Sequence, residues 1–318
     1  MASKAFVYLF EAQPSTPYIF VHTLTGLGTQ SIVQLVANIH TRQVAIRKVS
    51  RHARTKQLQV AATTYLHPYL PNCRDLQPRF VTCLSPDSNS KNTTYWALYN
   101  GGSFATWNST GLPINLIIRC IRQVCETLEF MYQRCPKVIY HRDLHLGNIF
   151  LHFGEENNNS DAPHNFYVGD FGSAQVGGRR RRWDVSRFAQ AIGLFLTRYS
   201  DAASENLGAV KDMMRVLNAL EESEGELVVN PLTRPPSLAA VIARGRSYEP
   251  VVREREQISP ALQHSLALRR AGAREVPVSG RKPFVYRLES VPTTEEAAAE
   301  FGQCNIEGPW SLVEWSWK

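Results

Sequence analysis

The chain has 318 residues, 43% of them hydrophobic and 20% charged, with a formal net charge of +7. That is the composition of a folded soluble protein, enough for one large or two small domains of roughly 100–200 residues each. No apolar run approaches the roughly 20 residues that cross a bilayer, and "MASKAFVYLFEAQPSTPYIF" lacks the basic start and apolar core of a secretory signal, so a cytoplasmic or nuclear protein is expected.

Residues 19–49 alternate apolar stretches with turn formers. Val33, Leu35, Val44 and Ile46 fit the strands of an antiparallel hairpin closed by "NIHTRQ", and "GLGTQS" marks a glycine turn at its far end. "TKQLQVAATTYL" predicts a short helix that "HPYLPN" stops with two prolines. Strand signals return at "RFVTCL" and "TTYWALY", followed by the flexible "NGGS". From Pro113 the spacing changes to three and four, through Ile114, Ile117, Ile121, Val124, Leu128 and Met131, which predicts a long amphipathic helix ended by Pro136.

"IYHRDLHLGNIF" (139–150) then sets His141, Arg142, Asp143, His145 and Asn148 between apolar strand ends, a polar loop held rigidly on both sides. The hydrophilic "EENNNSDAPHN" separates it from a second strand in "FYVGDFGSA". Helices follow: one from about Asp184 with Val185, Phe188, Ala189, Ile192, Phe195 and Leu196 on one face, one through Val210, Met213, Met214, Leu217 and Leu220, and one at "SLAAVIA". Strands dominate the first hundred residues and helices the next hundred and fifty, so an α+β chain in two lobes is expected, with "YNGGS" as the hinge and no internal repeat.

The six cysteines form no C-x-x-C pair and read as reduced thiols, several of them buried, not as a disulfide frame or a zinc site. The sequons at Asn92, Asn108 and Asn158 read as accidental without a signal peptide. The positive charge favours anionic partners such as nucleotides, nucleic acid or acidic proteins. Its densest run, Arg179 to Arg182, reads as a solvated loop, because no aromatic residues interleave with it as on a base-stacking platform. A basic nucleic-acid module would rest on the charge and this run alone.

Each candidate motif is weak by itself. A G-x-G in a hairpin (Gly26, Gly28) lets backbone approach a phosphate closely but is common in ordinary turns. Asp170, at the end of an apolar strand before a glycine, is suited to magnesium, and a plain turn acid looks the same. The order is what carries information: G-x-G, a strand lysine, a long helix, H-R-D-x-x-x-x-N, then D-F-G. From residue 23 to about 245 this resembles the protein kinase signature set.

The resemblance implies a two-lobed kinase-like fold with domain limits 23–248: N-lobe 23–97, hinge 98–103 and C-lobe 104–248. Residues 1–22 and 249–318 are then extensions, the second of unknown structure. It also implies ATP and Mg2+ as cofactors. Asp143 would orient the attacking hydroxyl, and Asn148 and Asp170 would hold the metal. Gly26, Gly28, Ser31, Val33, Lys48, Trp96 (at the gatekeeper position) and Tyr99 would line the nucleotide site. His141 and Phe171 would pack behind it, and Asp184 would hydrogen-bond the catalytic loop from beneath.

Five departures accompany the resemblance. The third glycine is Ser31. "AIRK" offers Arg47 at the A-x-K position and Lys48 one residue later, and strand alternation lets only one of them face a cleft; Lys48 is preferred as the compact phosphate-binding charge. "TKQLQVAATTYL" contains no carboxylate to pair with that lysine, leaving Gln57 or Gln59 as neutral partners. His145 stands where serine/threonine kinases carry lysine, and "DLHLGN" also looks like the loop of aminoglycoside and choline kinase-like enzymes. It is expected to face phosphate as a cation, with loop orientation and space filling as the alternatives. Finally, thirteen residues (171–183) separate Asp170 from Asp184, with no A-P-E and with Ser173 as the one hydroxyl, which argues against a phosphorylation switch through Arg142. A serine/threonine protein kinase-like phosphotransferase is expected first, with a nucleotide-binding pseudokinase scaffold and a small-molecule kinase as alternatives. No membrane partner is expected.

Overall fold

The structure, a computed structural model, describes residues 5–10, 18–25, 31–38, 41, 43–50, 52, 62, 65–66, 75–86, 92–99, 101–107, 114–152, 165–177, 183–197, 207–222, 237–248, 273–276, 285–288 and 310–315. The chain is α+β and divides into two compact units, residues 1–60, 82–100 and 264–318 in the first, and 61–81 and 101–263 in the second.

The first unit is an antiparallel sheet. Its central strands are β1 (Ala5–Phe10), β2 (Tyr18–Thr25), β3 (Ser31–Asn38) and β4 (Gln43–Ser50). The predicted 38–43 turn joins β3 to β4: Asn38 Oδ1 accepts from Thr41 N–H at 2.9 Å and Thr41 Oγ1 from Gln43 N–H at 3.2 Å. Side chains three and two residues earlier in the chain thereby take the place of ladder bonds at the corner. β5 (Cys83–Pro86) pairs with β6 (Thr93–Trp96), and β6 pairs with β4 from Ile46↔Trp96 to Val49↔Thr93.

Three further strands come from the carboxy-terminal seventy residues. β11 (Ala273–Val276) and β12 (Val285–Leu288) form a hairpin that joins β4, and β13 (Trp310–Trp315) pairs with all of β1, from Ala5↔Trp315 to Phe10↔Trp310. The expected domain limits therefore move. Both presumed extensions supply strands to this sheet, and residues 61–81, expected in the N-lobe, belong to the second unit.

The second unit is built around α1 (Ile114–Glu129), which runs on into a π turn at Phe130–Arg134. Cys135 is extended (φ −85°, ψ 140°), as the ring of the following Pro136 requires, and the helix ends there. Most of α1 is buried: Ile117, Ile121, Val124 and Leu128, all on the predicted apolar face, are at most 1% exposed. Each such side chain contributes about 1.5–3 kcal/mol relative to exposure. Its thiols Cys120 and Cys125 are buried and free, and burial pushes both above the usual thiol range, which leaves them inert. Around α1 lie α2 (Trp183–Thr197), α3 (Leu207–Glu222) and α4 (Leu238–Tyr248). The predicted inner faces are buried in α2 and α3, except that Leu196 is half-buried. Short strands β7 (Ile139–Tyr140), β8 (Ile149–His152), β9 (Asn165–Val168) and β10 (Gln175–Val176) complete the unit as two hairpin-like pairs, β7 with β10 and β8 with β9. Among the described residues no helix is long and apolar enough to cross a membrane.

β1 meets β2 at only two positions, Leu9↔Ile19 and Phe10↔Tyr18, whereas β13 covers its whole length. Deleting residues 309–318 is therefore expected to strip hydrogen-exchange protection from the amides of residues 5–10 while leaving β3 and β4 protected. Unchanged protection in β1 would show that β13 is not its partner in solution.

Candidate functional site

The loop between β7 and β8 is held from below by one carboxylate. Asp184, in the first turn of α2 and fully buried, accepts from the His141 N–H at 2.7 Å, the Arg142 N–H at 2.6 Å and the Tyr132 hydroxyl at 3.1 Å. Burial and the Asp184 charge push the Tyr132 phenol well up, so it remains the donor. Arg142 has φ +66°, a left-handed turn that costs a non-glycine residue of order 1 kcal/mol and is fixed here by its bond to Asp184. Its guanidinium extends outward to Gln175 Oε1 at 3.3 Å.

His141 faces the interior. Its Nδ1 accepts from the Asp143 N–H at 3.3 Å, so the proton sits on Nε2 and is donated to Gly169 O at 2.8 Å. Desolvation lowers its pKa from the ordinary 6.5, against the raising effect of Asp184 and the Gly169 carbonyl. The ring packs on Phe171 at 4.7 Å between centroids. His141 and Phe171 are thus buried together behind the loop, where they were expected.

Asp143, half-exposed, points its carboxylate toward solvent beside His145, with 3.9 Å between Oδ2 and Nε2. Asn148 Nδ2 donates to the Asp143 backbone carbonyl at 2.8 Å, which turns Asn148 Oδ1 away as the free acceptor of that amide. His145 caps the single 3-10 turn at Leu146–Asn148: its Nδ1 accepts from the Gly147 N–H at 3.0 Å. A neutral imidazole has one acceptor nitrogen. The direction of a backbone N–H is fixed, so Nδ1 serves as that acceptor, and Asn148 Nδ2, 3.1 Å from Nε2, packs against the ring without donating to it. A Cβ on Gly147 would lie 2.7 Å from His145 Cε1, so this cap requires glycine there. His145 is therefore engaged by its own loop, which the orienting alternative anticipated.

β8 and β9 carry the loop's far end and lead to Asp170. Each is flanked on its outer side. The Val81 N–H donates to Val168 O (2.9 Å) and the Val168 N–H to Arg79 O (3.0 Å), while the Gly101 N–H donates to Leu151 O (2.8 Å) and the Leu151 N–H to Gly102 O (2.9 Å). A Cβ on Gly169 would meet Val81 Cγ2 at 2.5 Å, so only glycine lets segment 79–81 lie this close. Asp170 follows with φ +62° and ψ +64°, a second left-handed residue. Phe80 reaches over to Phe171 and Phe130, each 5.8 Å away.

Behind this layer lie residues that sequence reasoning missed. Gln123 grips β9 with both ends of its amide, Nε2 to Asn165 Oδ1 (2.9 Å) and Oε1 from the Phe166 N–H (2.8 Å). Thr127 Oγ1 accepts from the Arg79 N–H (3.1 Å). Glu126, fully buried, meets Arg246 at 2.7 Å, Arg122 at 3.0 Å and Arg79 at 3.7 Å. The available signal was two polar pairs at i, i+4 spacing in the long helix, Gln123 with Thr127 and Arg122 with Glu126.

In the first unit, directly opposed residues share a sheet face. Val33↔Lys48↔Thr94 and Ile46↔Trp96 place Ser31, Val33, Lys48 and Trp96 on one face. Arg47 lies on the other, 2% exposed, donating to Gln34 Oε1 at 2.6 Å. Lys48 thus groups with the other residues assigned to the nucleotide and Arg47 with the core. Tyr99 is buried and its hydroxyl accepts from the Thr82 N–H at 3.2 Å, a structural engagement. Gly26, Gly28, Gln57 and Gln59 lie outside the described residues. The chain matches no protein-family model and no curated protein.

Asp184→Asn replaces a three-bond carboxylate with an amide that cannot serve all three donors. It is expected to lower the unfolding free energy by about 3 kcal/mol in urea titrations. His141 supplies a pH test. The unfolded histidine binds a proton below about 6.5 and the folded one resists it, so stability should fall as pH drops through that value, by at most about 1.4 kcal/mol per unit. His141→Gln should flatten that segment of the stability–pH curve, and an unaltered slope would show that His141 is not buried neutral.

Proposed function

We propose that the chain is an ATP-dependent, protein kinase-like phosphotransferase that moves the γ-phosphoryl group to a hydroxyl, foremost a serine or threonine hydroxyl. The observation that carries this is the fixing of Asp143, Asn148 and Asp170 by the rest of the fold: Asp184 sets the backbone at 141–142, Asn148 is tied to Asp143 O, and β8–β9 joins Asn148 to Asp170. Positioning and electrostatics carry most of phosphoryl transfer, so a rigid carboxylate–amide–carboxylate set is the apparatus it needs.

The half-exposed Asp143 carboxylate would accept or orient the proton of the attacking hydroxyl. Asn148 Oδ1 and Asp170 offer hard oxygen donors of the kind magnesium prefers. Bound there, the ion would neutralise charge on the phosphate oxygens. Lys48 would contact the α- and β-phosphates from the sheet face it shares with Ser31, Val33 and Trp96. His145, capping the loop through Nδ1, would fix the direction of Asp143 and Asn148. One observation favours a small-molecule hydroxyl as acceptor instead: a loop-capping histidine is the role expected for the aminoglycoside and choline kinase-like version of this loop.

Millimolar MgATP is expected to raise the melting temperature of the wild-type chain, and Lys48→Ala should reduce that rise more than Arg47→Gln does. Labelled ATP with mixed proteins, then with a metabolite panel, identifies the acceptor class, and Asp143→Asn should lower transfer by orders of magnitude. No response to MgATP, or transfer that survives Asp143→Asn, would refute the assignment. Binding without transfer to any acceptor would identify a nucleotide-binding scaffold.

A further inference from the structure

Of the four large hydrophobic side chains exposed among the described residues, two lie beside the catalytic loop: Val176 at 47% and Trp183 at 49% exposure. Arg142 links them. Its guanidinium reaches Gln175, the neighbour of Val176, and its backbone N–H is bound by Asp184, the neighbour of Trp183. Arg187 lies one helical turn after Trp183, with its guanidinium 5.1 Å from the indole centroid. Arg142, Gln175 and Arg187 are all exposed, and among the described residues neither guanidinium has a carboxylate partner. The sequence joining Gly177 to Trp183 adds Arg179–Arg182 and no acid.

This surface also presents directional backbone groups. The Gly177 N–H donates to Val138 O, and Gln175 and Val176 pair with Tyr140 and Ile139. Alternation therefore turns the polar backbone groups of residues 175 and 177 toward β7 and the N–H and C=O of Val176 toward the outer edge of β10. Among the described residues that edge has no strand beside it.

We propose that Arg142, Gln175, Val176, Trp183 and Arg187 hold an acidic polypeptide segment, the part of the acceptor that flanks its reacting hydroxyl. The assignment rests on the phosphotransferase function proposed above, which places that hydroxyl at Asp143, next in sequence to Arg142. Two arginines without carboxylate partners select negative side chains. Val176 and Trp183 supply apolar contact, and the free edge of β10 supplies main-chain hydrogen bonds to an extended peptide. Nucleic acid would match the charge but forms no reciprocal main-chain ladder with the N–H and C=O of a strand edge.

Labelled twelve-residue peptides with one central serine test this by fluorescence anisotropy on the full chain, with flanking residues acidic, neutral or basic, beside a twelve-nucleotide oligo-dT. The acidic peptide should bind at least about tenfold tighter than the neutral one and more weakly in high salt. Trp183→Ala and Arg187→Glu should each weaken it about fivefold or more while leaving the MgATP-induced rise in melting temperature at the wild-type value. If Trp183→Ala fails to fold by circular dichroism, Arg187→Glu decides alone. Equal binding of acidic and neutral peptides, wild-type affinity in a folded variant, or preference for oligo-dT over every peptide would overturn the proposal. Absence of any MgATP response in the wild-type chain would instead refute the phosphotransferase assignment, and with it the acceptor role, while the peptide series still reports whether the surface selects acid.

Discussion

The buried carboxylate of Asp184 is the constraint on which the candidate site depends. A carboxylate removed from water needs donors on its oxygens, and here two of the three are backbone N–H groups of consecutive residues. Satisfying it therefore fixes the chain direction at 141–142, including a left-handed turn that Arg142 would not otherwise adopt. Asp143 emerges from that turn with its side chain outward, and the loop closes on itself through His145, Gly147 and Asn148. The charge–backbone bond at one end and the imidazole cap at the other leave little freedom between them.

The β8–β9 hairpin is the second support. Two four-residue strands are marginal alone, since a lone hairpin in water is barely stable. Here segments 79–81 and 101–103 extend it on both sides, and Gln123 of α1 binds its backbone from within. These two segments are also where the chain passes from the second unit to the first and back, next to residues 82–100. The hairpin that spaces Asn148 from Asp170 is thus held on both edges within its own unit.

What could be read from the sequence follows interaction range. The long helix, the α2 and α3 faces and the polar loop were legible because their signals repeat within a few residues, and apolar periodicity reports burial directly. The anchoring role of Asp184 followed from motif order. The choice between Arg47 and Lys48 needed the β3–β4–β6 register, because adjacent strand residues face opposite ways and nothing local says which face matters. Gln123, Glu126 and Thr127 look like ordinary helix residues until the partners that justify burying them are known. The strands β11 to β13 escaped notice for a related reason: each is short, and the partners that join β12 and β13 to the sheet, β4 and β1, lie more than two hundred residues away, with β11 held through β12.

That last separation has a consequence for how the molecule is made. The second unit is supplied by residues 61–81 and 101–263, so a ribosome can release all of it before the sheet of the first unit is complete. β1 is synthesised some three hundred residues ahead of the strand that spans its length, residues 310–315. At about 5–20 residues per second, β1 waits on the order of fifteen seconds to a minute without that partner. During that interval an unpaired strand edge is open to other chains. The order of synthesis makes the early sheet the vulnerable part of the nascent protein, and its protection would come from whatever covers the growing chain until β13 emerges.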